Sequence, residues 1–310
     1  MGRRRKRGRP IHGWIALDKP YDMTSTEAVS RLRRLFDAQR CGHAGTLDPL
    51  ATGILPVAFG EATKTVPFVQ DSPKSYRFTA RWGVATNTDD AEGERIAESA
   101  ARPSREAIEA ALEGFIGEIE QIPPAFSAIK VKGARAYDLA RDGETVKLEP
   151  RLVNVYDLRL TDIPDADRAV FEAETGKGAY VRALVRDLAR ALGTVGHVAD
   201  LRRTAVGPFN EARAVTLAAL EEAEQGPDRD ACLLPVVAAL EALPALEVTG
   251  QDVFQLRRGQ AVVLTPHQAR SLRGGAKGAL PAVLAKSDGA AAAICALDGL
   301  SLKPARVFNL

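Results

Sequence analysis

GHAGTLDPLATGILP, running from Gly42 to Pro56, is the stretch on which the reading of this chain turns. Its fifteen positions hold three glycines, two prolines and one aspartate. Pro49 drives Asp48 out of the helical region and stiffens the chain behind it. Gly42, Gly45 and Gly53 admit φ > 0 or a close backbone approach. The pattern predicts a rigid Gly-rich loop over 41–60 that holds out a single carboxylate. An Asp-Pro pair on its own equally describes an ordinary turn or helix cap, and spacing does not separate the two.

Outward from the loop, the chain alternates between strand and helix signals. Before it, GWIALDKP (Gly13–Pro20) reads as a strand entering a turn. Thr24 with Glu27 forms a capping-box signature, and Ala28, Leu32, Leu35 and Phe36 recur at helical spacing. After it, YRFTARWGV (Tyr76–Val84) alternates with a period of two, placing Tyr76, Phe78, Ala80 and Trp82 on one face. A polar loop, NTDDAEGE, follows. Ser104 then caps a helix carrying Ile108, Leu112, Phe115 and Ile116, and Gly117 closes it. Arg151–Leu160 and Ala169–Thr175 read as strands. Tyr180–Leu192 reads as a helix with Arg182, Arg186 and Arg190 on one stripe; the last two are expected to be solvated or to touch phosphate. With no steady βαβ rhythm, the class is α+β. Composition shifts across Glu221–Pro235, and the chain beyond Leu246 is Gly- and Ala-rich with short strand-like runs. The expected division is a basic disordered tail (1–10), a catalytic domain (11–245) and a small, mostly β terminal domain (246–310).

The 310 residues are 45% hydrophobic and 26% charged, which fits a soluble globular chain with a sizeable core. No apolar run reaches the roughly 18 residues of a membrane span, and no apolar segment follows the basic start, so no secretory signal is expected. Cys41, Cys232 and Cys295 are far apart and form no C-x-x-C pair, and the four histidines form no H-E-x-x-H. No metal is expected. With +2 overall, +6 in the first ten residues and +4 in the last sixty-five, the body between carries −8. Positive ends on an acidic body suit a polyanion gripped from the periphery. Gly176-Lys177-Gly178 tempts a phosphate-loop reading, but Phe171 and Gly178 stand where that motif needs Gly and Ser or Thr. G-x-G-x-x-G after a strand, G-x-S-x-G and zinc-deaminase signatures are also absent. No cofactor is expected.

The loop at Gly42–Pro56 closely resembles the second motif of the TruB-type pseudouridine synthases, the bacterial tRNA pseudouridine-55 synthases. GWIALDKPYDMTSTEAV resembles that family's first motif, and KSYRFTARWGVATNTDDAEG its tyrosine-bearing segment. QIPPAFSAIKVKGARAYDLARDG resembles the insert that holds the T-arm of tRNA. GKGAYVRALVRDLARALG and HVADLRRTAVGPF resemble later motifs. The likeness runs in order from about residue 12 to residue 210, and the last 65 or so residues match loosely.

What the resemblance implies is specific. It implies a central mixed, mostly antiparallel sheet flanked by helices, with a PUA-like C-terminal domain. Asp48 stands at the catalytic aspartate, Tyr76 at the tyrosine that stacks on the target base, and Tyr180 at the tyrosine acting on the C5 proton. Arg182 stands at the arginine that pairs with the aspartate, Leu201 at the apolar pocket wall, and His43 at the histidine that contacts RNA. Lys130, Lys132, Arg135 and Arg141 of the 121–143 insert, interleaved with Phe126 and Tyr137, suit RNA contacts. The implied activity is cofactor-free isomerisation of uridine 55 in the tRNA T-loop by a cytoplasmic monomer that needs no protein partner or membrane. Breaking and remaking a glycosidic bond asks for an ionised carboxylate, a form that an arginine neighbour favours. Three other readings compete: a guide-RNA-dependent relative, a non-catalytic tRNA-folding factor, and a glycosidase, which needs a second carboxylate about 5–9 Å away.

Overall fold

The computed structural model describes residues 8–127, 148–224 and 226–310, with the backbone of 130–131 and 134–135. Ten of the described strands form one sheet. In chain order they are β1 (Gly13–Lys19), β2 (Cys41–His43), β3 (Thr52–Phe59) and β4 (Lys74–Trp82), then β7 (Gly117–Gln121), β10 (Arg151–Asp165), β11 (Arg168–Thr175), β12 (Gly196–Val206), β13 (Phe209–Asn210) and β14 (Ala214–Thr216). Between β4 and β7 a separate ladder pairs β5 (Val84–Thr86) with β6 (Arg95–Glu98). A third pairs β8 (Lys130–Val131) with β9 (Ala134–Arg135). The main order is β14-β1-β3-β12-β4-β11-β10-β7, with β2 on β3 and β13 on β12. Only β1/β14 and β3/β12 are parallel; the sheet is mixed and mostly antiparallel.

The residues of β1 explain why this edge of the sheet is covered twice. Ile15 and Leu17 join a core with Leu32 of α1 (Ser25–Leu35) and with Phe36 at its C-terminal cap, whereas Trp14 and Ala16 join a different core with Leu284, Ile294 and Phe308. Successive strand residues point to opposite faces, so an unbroken apolar run is what a twice-covered strand requires. The second cover is a five-stranded sheet built from residues 245–307. On the other half of the main sheet, Phe78, Trp82 and Phe171 pack under α3 (Arg105–Leu112) and α4 (Val181–Ala191). The Thr24 hydroxyl accepts from the Glu27 amide, and Ser104 caps α3 in the same way. Among the described residues, no helix is long and apolar enough to cross a membrane.

Three expectations change. The Gly-rich loop is shorter than 41–60: Thr52–Phe59 is a buried central strand. Pro56, which has no N–H to give a ladder, sits where the neighbour of β3 changes from β12 (paired at 52–53) to β2 (paired at 57–59). The disorder expected over 1–10 does not extend to Arg9. Residues 1–7 lie outside the described residues, but Arg9 is anchored by an ion pair with Asp230 and by its amide bond to the Asp37 carbonyl. Finally, Gly42 has neither positive φ nor a close neighbour, unlike Gly45 and Gly53.

Candidate active site

Asp48 begins a tight turn in which the Ala51 amide bonds back to the Asp48 carbonyl. The loop around it is held from three sides. Lys19, wholly buried at the end of β1, donates to the carbonyls of Pro49 (3.0 Å), Met23 (2.8 Å) and Pro20 (2.8 Å). Ser25, at the start of α1, exchanges two 2.8 Å bonds with the Leu47 backbone. Arg203 of β12 donates to the carbonyls of Gly45 (3.3 Å), Thr46 (3.1 Å) and Ile54 (2.8 Å). Each cation bonds neutral carbonyls, so the clamp fixes the loop backbone and leaves the Asp48 carboxylate, 37% exposed, for other work. Gly53 is obligatory here: at φ +98°, an added Cβ would lie 2.2 Å from the Arg203 carbonyl oxygen.

The partner of Asp48 comes from α4. Arg182 Nε lies 2.9 Å from Asp48 Oδ2, an ion pair whose angle falls outside hydrogen-bond geometry. The same guanidinium lies 3.3 Å from Asp90 and donates to the carbonyls of Thr88 and Phe126, each at 2.9 Å. Asp90 is fixed in turn by the Thr88 hydroxyl and the Glu92 amide. Arg182 is only 5% exposed, and this set of acceptors is what allows a guanidinium to remain inside.

The two tyrosines line the same cleft. Tyr76, on β4, stands directly across the ladder from Arg203. Burial pushes its phenol up and the Arg203 guanidinium pulls it back. Tyr180 caps α4, and its backbone is gripped by buried Gln121: Tyr180 N–H donates to Oε1 (2.8 Å) and Gln121 Nε2 donates to the Tyr180 carbonyl (3.2 Å). Burial and the Asp48 carboxylate push the Tyr180 phenol up, against Ser127 and Arg182. Both phenols therefore stay protonated at neutral pH. The cleft holds about 510 Å³, within the roughly 300–1,000 Å³ range of small-ligand sites. Its lining includes Asp48, Tyr76, Tyr180, Arg182 and Leu201.

Five of the six residues singled out in the main domain thus share one cleft. His43 ends β2 opposite Val57 and is not among the described residues lining the cleft, although Gly45 and Thr46 just after it are. Lys132 and Arg141 lie outside the described residues, and only the backbone of Lys130 and Arg135 is described. Arg186 is not solvated as its stripe suggested. It is largely buried, paired with Asp89 (3.0 Å) and Asp187 (2.9 Å), and bonded to the Ile122 carbonyl. Arg190, further along, is exposed. Sequence reasoning missed Asp90, Lys19, Lys74, Gln121 and Arg203. An acid in NTDDAEGE and an arginine in LRRT look solvated until the fold supplies their partners, and Arg203 bonds carbonyls 149 to 158 positions away.

Comparison with solved structures defines the class. A chain of a Cbf5-Nop10-Gar1 complex matches 96% of this chain with a TM-score of 0.68, at 24% identity over 85% of its own length. A chain of an H/ACA RNP bound to a substrate RNA containing 2′-deoxyuridine matches all of it with a TM-score of 0.72, at 22% identity over 92% of its length. The fold is that of the pseudouridine synthases. Residues 33–181 match the family model "TruB family pseudouridylate synthase (N terminal domain)", and residues 182–241 match "tRNA pseudouridylate synthase B C-terminal domain". The tRNA pseudouridine synthase B of Caulobacter vibrioides is 56% identical over 99% of both chains; that of Bradyrhizobium diazoefficiens is 54% identical over 99% of this chain and 88% of its own. The chain belongs to the TruB family of pseudouridine synthases.

Proposed function

We infer that this isomerase converts uridine 55 in the T-loop of tRNA to pseudouridine, without a cofactor, in the cleft around Asp48. The reaction breaks the N1–C1′ bond, turns the uracil and joins C5 to C1′. C5 gives up its proton and N1 gains one, so no redox partner is needed. The observation that carries this reading is one carboxylate opening on the cleft, ion-paired to a buried arginine and facing two protonated phenols, in a chain 56% identical to a tRNA pseudouridine synthase B.

In this reading each residue has a task. Asp48 acts on the nucleoside, and Arg182 keeps it charged and aimed. Tyr76 stacks on the flipped base, returning roughly 1–3 kcal/mol of a flipping cost of a few kcal/mol. Tyr180 sits over the C5 proton, Leu201 walls the pocket, and His43 contacts RNA beside the loop. Lys130, Lys132, Arg135 and Arg141 of the insert grip the T-arm, and residues 246–310 act as a PUA-like RNA-binding module. The protein works as a cytoplasmic monomer. A glycosidase would need a second acid, and Asp48 is the one carboxylate among the described residues lining the cleft.

The test uses tRNA carrying C5-tritiated uridine, with no added RNA or cofactor. The wild type should release tritium; Asp48→Asn should release none while still binding tRNA. Failure of release by the wild type, or near-normal turnover by Asp48→Asn, refutes the reading.

A further inference from the structure

A second part of the cleft holds a cation that the chemistry at Asp48 does not use. Lys74 begins β4 and is 8% exposed. Its ammonium donates to the carbonyls of Gln70 (2.5 Å) and Ser72 (2.6 Å), at the end of the helix Val66–Asp71. Among the described residues it has no carboxylate within ion-pair distance. Burial pushes this ammonium down to about 8; Arg203 and Lys177 push the same way and Asp71 opposes. A buried cation without a counter-ion costs stability unless an anion completes the site.

The surroundings say which anion. Lys74 and Tyr76 both line the cleft and lie two residues apart on one face of β4, about 6.6 Å along the strand. A base held at Tyr76 and an anion held at Lys74 thus occupy neighbouring parts of one cleft. Thr175 pairs with Lys74 across the sheet, so Gly176-Lys177-Gly178 leaves β11 next to the start of β4, close enough for the Lys177 charge to act on the Lys74 ammonium. All three residues of this turn line the cleft. Gly178, at φ +90°, has open space where a side chain would stand. Lys177 pairs with Asp71 at 2.6 Å, but both side chains are more than 60% exposed, and such a pair exchanges readily for a better anion.

We propose that Lys74 and the Gly176–Lys177–Gly178 turn form a subsite for one phosphodiester of the RNA strand flanking the flipped uridine. The proposal rests on the reading of the cleft as a uridine site. The contact is blind to sequence; it fixes the register of the strand so that one particular base reaches Tyr76.

The experiment is a cycle between protein and RNA. Three T-arm stem–loops carry a C5-tritiated target uridine: one all-phosphate, one with an uncharged methylphosphonate linkage 5′ to the target, and one with it 3′. Each is turned over by wild type, Lys74→Met and Lys177→Gln, and KM is followed against salt. Lys74→Met should raise KM and lower the log–log salt slope by about 0.7–0.9, the share of one phosphate contact. One of the two neutral linkages should raise the wild-type KM similarly and add nothing further in Lys74→Met, because both changes remove the same contact. Fully additive losses at both linkages, or an unchanged slope in Lys74→Met, overturn the subsite. If thermal melting shows that Lys74→Met is poorly folded, exposed Lys177→Gln carries the same cycle: coupling supports the proposal and additivity refutes it. Tritium release by the wild type from the all-phosphate RNA separately tests the isomerase reading. Release with additive losses sinks the subsite alone.

Discussion

Replacing Arg182 with methionine keeps a stem of similar shape and removes the guanidinium between Asp48 and Asp90. Truncating one partner of a buried ion pair costs about 3–5 kcal/mol. Asp48 is 37% exposed and water covers part of its loss; Asp90, at 14%, is left inside with a carboxylate facing no cation. The expected loss is therefore about 3 kcal/mol, the low end of that range. For a chain of this length it corresponds to a fall of about 5 °C in melting temperature. Chemistry should fall further than stability. Asp48 loses its lateral support, and a displacement on the order of 1 Å at a reacting group costs about 100-fold. Thermal melts by circular dichroism read the first effect, and single-turnover tritium release at saturating tRNA reads the second. Asp90→Asn supplies the decisive arm. Alone it should destabilise, but added to Arg182→Met it should recover about 1–2 kcal/mol by removing the stranded charge. The reasoning fails if Arg182→Met melts with the wild type, or if Asp90→Asn lowers stability equally in both backgrounds.

Gly53→Ala should melt far below the wild type, because its Cβ meets a backbone oxygen at 2.2 Å; Gly42→Ala, with open space around it, should melt unchanged. Equal melting of the two variants refutes the close-approach argument. Tyr76→Leu should lower kcat/KM by roughly 5- to 150-fold, the equivalent of 1–3 kcal/mol of lost stacking, and an unchanged value removes Tyr76 from the base platform. The KM for tRNA should rise between pH 7 and 9 as Lys74, buried and pushed down to about 8, gives up its proton. The unfolded chain holds that proton up to about 10.5, so stability should rise with pH over the same interval and on to about 10.5. In Lys74→Met the KM trend should flatten, while the stability trend should fall by about half, because Lys19, also pushed down to about 8 by burial, keeps its share; an unchanged KM trend assigns it to another group.

The elements readable from sequence are those whose cause is local. Alternation along Tyr76–Trp82 and the hydroxyls at Thr24 and Ser104 report their surroundings within a few residues. The strand at Thr52–Phe59 was hidden because its glycine and proline, which usually mark loops, serve here a backbone crossing and a change of neighbour. Arg182 and Arg186 share one helical stripe and look equally solvated. Each is buried only because the 87–94 loop folds back over α4 and brings Asp89 and Asp90 with it. Lys19 and Arg203 carry no sequence signal at all, since their acceptors are carbonyls, which every residue has.

That choice of acceptors shapes the field in the cleft. If Lys19, Lys74 and Arg203 were held by carboxylates, their charge would be cancelled where it sits. Held by carbonyl dipoles, they keep it. Among the described residues lining the cleft, Lys74 and Arg203 keep their charge in this way, whereas Lys177 is paired with Asp71 and Arg182 with Asp48 and Asp90. The body of the chain outside its basic ends carries −8, so the positive potential at the cleft is local and stands out against its surroundings. Under the proposed function, a polyanion repelled by the acidic body is drawn to the cleft where Tyr76 and Asp48 stand. Under that function, the cations that stiffen the Asp48 loop also attract the RNA to it. Weakening the clamp by replacing Lys19 or Arg203 should consequently slow association with tRNA as well as the chemistry.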